Sequence, residues 1–121
     1  MNGRIYYINF SGNKGSEINK THLGIIFSIP KVKNMVFCIP LTSPKIKHFK
    51  TQNGFINRKH LDLKFQNLVY IDQTDSIALL DQMRSISIHR LLKPYNDITL
   101  NEKNINILTT KTIKYLKHIL K

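Results

Sequence analysis

A chain of 121 residues, 41% of them hydrophobic, can bury a core of its own, which argues for a single domain over 1–121 and against a disordered chain. One cysteine, Cys38, excludes an intrachain disulfide and a multi-cysteine zinc site. The 19 Lys and Arg against 7 Asp and Glu leave a formal charge of +12, a field that attracts phosphate backbones; anionic membranes and acidic proteins are the other partners it suits.

Residues 4–10 are rich in aromatic and β-branched side chains and predict a strand, not the apolar core of a signal peptide, so a cytoplasmic protein is expected. No later run approaches the roughly 18 apolar residues of a membrane helix, and no membrane partner is expected. Ser11-Gly12-Asn13-Lys14-Gly15-Ser16 is turn chemistry. A second strand is predicted over 23–29, stopped by Pro30, and a third over 35–41, in which the flanks of Cys38 make it an inert core residue. Residues 45–64 hold six Lys or Arg, two His and one acid, and read mainly as a basic surface connection with room for a short hairpin at Asn53-Gly54. Strand character returns over 65–71, residues 72–75 are a polar turn, and 76–88 predict one long, bent strand.

The C-terminal segment changes period. Thr99 followed by Glu102 has capping-box spacing, and Ile105, Leu108, Ile113, Leu116, Ile119 and Leu120 recur at helical spacing. Lys103, Lys111, Lys114, Lys117 and Lys121 fall mostly on the other faces, as expected of a helix packed on a sheet. Strands first and a helix last give an α+β fold.

Three segments, in order, carry a resemblance. They are Gly15-Ser16-Glu17 followed by Thr21-His22-Leu23-Gly24-Ile25-Ile26-Phe27-Ser28, then Cys38-Ile39-Pro40-Leu41-Thr42-Ser43, then the stretch from Ser76 to Ile86 with Asp81-Gln82-Met83-Arg84-Ser85 inside it. Together they resemble the MazF/PemK/CcdB superfamily of bacterial toxins. The resemblance implies a small, partly open antiparallel β-barrel of the MazF/CcdB type with a C-terminal α-helix. It also implies a metal-independent, sequence-selective endoribonuclease of a toxin–antitoxin system that leaves 2′,3′-cyclic phosphate and 5′-OH ends. Leu41-Thr42-Ser43-Pro44-Lys45 with His48 is similar to the ToxN/AbiQ branch, whose toxins are held by a structured RNA. The implied partners are single-stranded RNA, a cognate antitoxin of protein or RNA, and a second copy in a homodimer or toxin–antitoxin assembly. In one respect the chain departs from the family: the arginine that follows the Gly-Ser-Glu loop falls at His22, and its proline at Leu23.

Cleaving RNA without a metal needs a base for the 2′-OH, donors and positive charge on the phosphate, and an acid for the leaving 5′-oxygen. Seven scattered acids suit this better than a two-metal site, which wants clustered carboxylates, and no cofactor or metal is expected. His22, where a loop enters a strand, is the candidate for proton transfer or phosphate stabilisation, its alternative being a surface or capping histidine. Thr42 and Ser43 end a strand before Pro44 and are candidate donors to the scissile phosphate, or a turn that caps the strand. The resemblance makes Asp81 a candidate base or a structural acid. Alternation places Asp81, Met83 and Ser85 on one strand face and Gln82 and Arg84 on the other, unless a bulge intervenes. Lys45 is a candidate phosphate ligand, Arg84 a phosphate ligand or a structural or interface arginine, and Glu17 a loop anchor or an RNA contact. Lys14, Lys20, Lys45, Lys47 and Lys50, with His48 and Phe49, are candidates for a single-strand groove in which bases stack on an aromatic ring. Two other functions fit the same features: a gyrase poison of the CcdB kind and a non-catalytic RNA-binding module.

Overall fold

The computed structural model describes residues 2–10, 20–62 and 64–120. Its strands are β1 (Arg4–Asn9), β2 (Thr21–Ser28), β3 (Met35–Thr42), β4 (Phe49–Gln52), β5 (Phe55–Leu61), β6 (Leu68–Ile71), β7 (Ser76–Leu79), β8 (Arg84–Ser87) and β9 (Leu91–Thr99), and α1 (Glu102–Ile119) follows them. All described pairings are antiparallel. The main sheet runs β6-β7-β3-β2-β1-β9, with β8 also on β3, and among the described residues its edges β6 and β9 do not pair, so the barrel is partly open.

The middle strands are buried on both faces, which is why their apolar residues run consecutively instead of alternating. Ile5, Ile25, Ile39 and Leu41 pack on one face with Val69, Ile71 and, from α1, Leu108. Ile8, Phe10, Ile26, Val36, Cys38 and Ile86 form a second cluster. Each fully buried side chain of this kind stabilises the fold by about 1.5–3 kcal/mol. Cys38 sits inside the second cluster, and burial pushes its thiol up to about 11 against a smaller opposing pull from Arg84.

Four sequence expectations change. The long strand over 76–88 is two strands. Three steps along β3, from Leu41 to Cys38, face six along its partner, from Ala78 to Arg84, and the surplus is looped out as the 3₁₀ turn Leu80–Gln82. The basic connection over 45–64 is a real hairpin, β4–β5, turned by Asn53 and Gly54 at φ 52° and 81°, both left-handed as a two-residue turn of this kind needs. β9 was not legible in the sequence. It is an edge strand, the place in a sheet where a proline such as Pro94 is tolerated, and a bulge between its Pro94 and Thr99 pairings absorbs Asn96 and Asp97 at positive φ.

The helix cap moves as well. Thr99 pairs with Arg4 in the sheet, and Leu100 donates its N–H to Gly3, so α1 starts two residues later. Asn101 is its N-cap, accepting the Asn104 N–H at 2.9 Å. Gln73 clamps the junction, donating to the Thr99 carbonyl and accepting from the Asn101 N–H, both at 2.9 Å. Lys103, with Asn104, holds the Asp72 carboxyl below its ordinary range. Of the expected helix face, Ile105 and Leu108 pack on the sheet, joined by Tyr115; Ile113, Leu116, Ile119 and Leu120 are exposed.

Candidate active site

β2 and β3 run paired from Ser28↔Val36 to Gly24↔Pro40, and there the ladder stops. Beyond that point β3 stays paired on its other edge, with Leu41 opposite Ala78 and Thr42 opposite Ile77 on β7. Two features mark the parting. Pro40 has no N–H to donate. A Cβ on Gly24 would lie 2.6 Å from Ile8 Cδ1, so a side chain there would have to displace that buried methyl.

Between the parted ends lies a cavity of about 310 Å³. β2 lines it with Thr21, His22 and Leu23, and the facing chain with Leu41, Thr42 and Ser43. Tyr7 and Ser76 complete the lining. His22 and Thr42 are half-buried and Ser43 is exposed, so all three are within reach of a ligand. The Ser76 hydroxyl donates to the Thr74 carbonyl at 3.1 Å. The Tyr7 ring meets Tyr95 edge-on at 5.5 Å and has the Lys93 ammonium 5.2 Å from its centroid, which places a cation beside the cavity wall.

Three of the four residues singled out for catalysis, His22, Thr42 and Ser43, therefore share one cavity. Asp81 does not line it. It sits exposed on the 3₁₀ turn, accepting a hydrogen bond from Asn67 Nδ2 at 3.1 Å. This turn also cancels the alternation expected around Asp81. Arg84 lies against the second core cluster, its guanidinium 4.8 Å from the Phe10 ring centroid. Lys20 and Lys45 are exposed and flank the lining segments in sequence, Lys20 before Thr21 and Lys45 after Ser43. Glu17 and Lys14, with the Gly15-Ser16 loop, lie outside the described residues.

The proposed stacking groove over His48 and Phe49 does not exist as such, because both rings are buried, at 9% and 5% exposure. The His48 ring packs edge-on against Phe65 at 5.5 Å, and its Nδ1 accepts the Lys45 N–H at 3.1 Å, which requires the neutral ring with its proton on Nε2. Burial, and after it the charges of Lys47 and Lys45, hold its pKa below the ordinary histidine value. Lys47 stays exposed on the turn Ile46–His48.

Described carboxylates are dispersed over separate contacts: Asp72 with Lys103, Asp75 with Arg58 and Tyr70, Asp97 with Arg4, and Asp81 with Asn67. Sequence reasoning missed Tyr7 and Ser76. Ser76 opens the third motif segment and Tyr7 lies in the first strand, but nothing in a linear pattern says that β7 and β1 converge on the end of β3.

A family model described as a PemK-like, MazF-like toxin of type II toxin–antitoxin systems matches residues 1–116. The chain belongs to this toxin family. Its sheet and C-terminal helix agree with the small open barrel of MazF and PemK. The type II assignment implies a protein antitoxin as partner of this PemK-like toxin. Comparison with curated proteins found no match. No described helix is long and apolar enough to cross a membrane.

Proposed function

We propose that this PemK-like toxin is an endoribonuclease that cleaves single-stranded RNA without a metal. The observation that carries the reading is the split of β2 from β3, which opens one cavity onto His22, Thr42 and Ser43 in a chain of charge +12. In this reading a base removes the 2′-OH proton, the 2′-oxygen attacks phosphorus, the P–O5′ bond breaks, and an acid protonates the departing oxygen. The products are a 2′,3′-cyclic phosphate and a 5′-OH. His22 moves a proton, a task to which an imidazole is suited near neutral pH. Thr42 and Ser43 donate hydrogen bonds to the phosphate as it gains negative charge, and Lys20 and Lys45 offset that charge from the rim. Asp81 lies outside the cavity and has no part in this scheme.

The test is cleavage of a long RNA by the purified protein in EDTA, with the ends mapped. Discrete cuts bearing 5′-OH ends are expected, and Thr42→Ala and His22→Ala should each slow cleavage at least about tenfold, a loss of about 1.4 kcal/mol of transition-state stabilisation. RNA left intact, or full activity in both variants with unchanged circular dichroism, overturns the proposal.

A further inference from the structure

The sequence offered Phe49 as a ring for base stacking; the fold buries it and exposes Phe55 instead. Phe55 opens β5 just after the Asn53-Gly54 turn and is 77% exposed. Ile56 beside it is 39% exposed. An aromatic ring held in water at the tip of a ribbon gains nothing for the fold. A notch of about 640 Å³ adjoins it, lined by Gln52, Asn53, Asn57 and Arg58 as well as by Phe55 and Ile56. Amide side chains beside an aromatic face are the groups that hydrogen-bond base edges while a ring stacks on the base.

The charge of the ribbon points the same way. Residues 49–61 include Lys50, Arg58, Lys59 and His60 and no acid. Lys50 and His60 line a second small hollow with Gln52 and Asn57, which continues the polar lining of the notch toward the hairpin's base.

The ribbon is also fixed next to the candidate active site. Arg58 Nη1 donates to Asp75 Oδ1 at 3.3 Å, and Tyr70 Oη donates to the same oxygen at 2.6 Å. Asp75 precedes Ser76, which lines the cavity. At its root Phe49 packs edge-on against Tyr70 at 5.4 Å. From Arg58 to Phe55 is about 10 Å along an extended strand. The tip of the ribbon is therefore within the span of a few nucleotides of the cavity.

We infer that the tip of the β4–β5 hairpin is a base-stacking arm for single-stranded RNA, with Phe55 as its platform and the Gln52, Asn53 and Asn57 amides as readers of the stacked base. This rests on the proposed RNA substrate but not on the cleavage chemistry. The arm contributes to binding and sequence preference, and the cavity at His22 and Thr42 contributes the reaction.

The chain has no tryptophan, so Phe55→Trp adds a single indole at the platform. Titration with an uncleavable 2′-O-methyl RNA of mixed sequence should quench that indole, whereas polyglutamate, an acidic polymer without bases, should not. Phe55→Ala should bind the same RNA, measured by anisotropy, about 5- to 150-fold more weakly, the range for loss of one stacked base. With cleavable RNA it should raise KM and leave kcat at saturation unchanged. Circular dichroism of Phe55→Ala should match the parent. Unchanged affinity in Phe55→Ala, or an indole that ignores bound RNA, overturns the inference while leaving cleavage as proposed. Equal quenching by polyglutamate also overturns it and assigns the arm to an acidic protein. Quenching and weakened binding without any cleavage uphold the arm and overturn the nuclease reading.

Discussion

β2–β3 and β4–β5 are both antiparallel ribbons, and they end in opposite environments. In β2 the run Gly24-Ile25-Ile26 is buried without alternation, and in β3 the run from Cys38 to Leu41 is buried likewise. In β4 only Phe49 is buried, and in β5 Phe55 and Ile56 face water. The difference comes from neighbours rather than from residue type. β2 and β3 have strands on both sides and a core cluster on each face, whereas among the described residues β4 and β5 pair with each other alone and rest on the sheet through Phe49, Leu61 and the Arg58–Asp75 contact. A ribbon with partners on every side specifies the fold, and a ribbon anchored at one end is free to carry recognition. Where the first kind loses a partner, at the Gly24–Pro40 step, it opens the cavity.

The sharpest way to break this comparison is to truncate one phenylalanine in each region. Phe10 is fully buried beneath Arg84, and Phe10→Ala should cost about 3–5 kcal/mol in chemical denaturation. Phe55→Ala should stay within about 0.5 kcal/mol. Similar losses in the two variants would mean that the hairpin tip packs on something in solution.

Gly24→Ala tests the parting of the strands, and a loss of about 1–3 kcal/mol is expected from the clash with Ile8 Cδ1. Ile8→Val removes that atom at a cost of about 0.5–1.5 kcal/mol when made alone. The double variant should therefore be more stable than the sum of the two losses predicts, and strict additivity in the double-mutant cycle would show that the close approach is not what keeps position 24 bare.

The smallest expected effect lies at the foot of the hairpin. His48 has a depressed pKa in the folded state, with burial the main cause and Lys47 and Lys45 adding to it. The unfolded chain therefore binds a proton at His48 more readily than the folded one. Its contribution to stability is complete above the ordinary histidine value of about 6.5 and is lost as pH falls from there through the depressed folded value. Denaturation midpoints measured from pH 8 down to 5 should fall more steeply in the parent than in His48→Gln. Parallel curves would show that the ring is as easily protonated folded as unfolded.

Much of this was legible in the amino-acid order alone. Runs of aromatic, β-branched and other apolar residues bounded by turn and proline signals placed β1, β2 and β3, the change to helical period placed α1, and the charge pointed to a polyanionic partner. The strand-end positions of His22, Thr42 and Ser43 were legible because local patterning marks where strands stop. Tertiary structure decided the rest. Pairing geometry on β3 split the 76–88 segment and carried Asp81 away from the cavity, since a three-residue surplus appears only when two strands are set side by side. Edge position allowed β9 to hold Pro94 and the Asn96-Asp97 bulge, which in a central strand would break the ladder. Neighbouring elements buried His48 and Phe49 and left Phe55 in water, because burial depends on what packs against a side chain, and that is set by contacts distant in sequence.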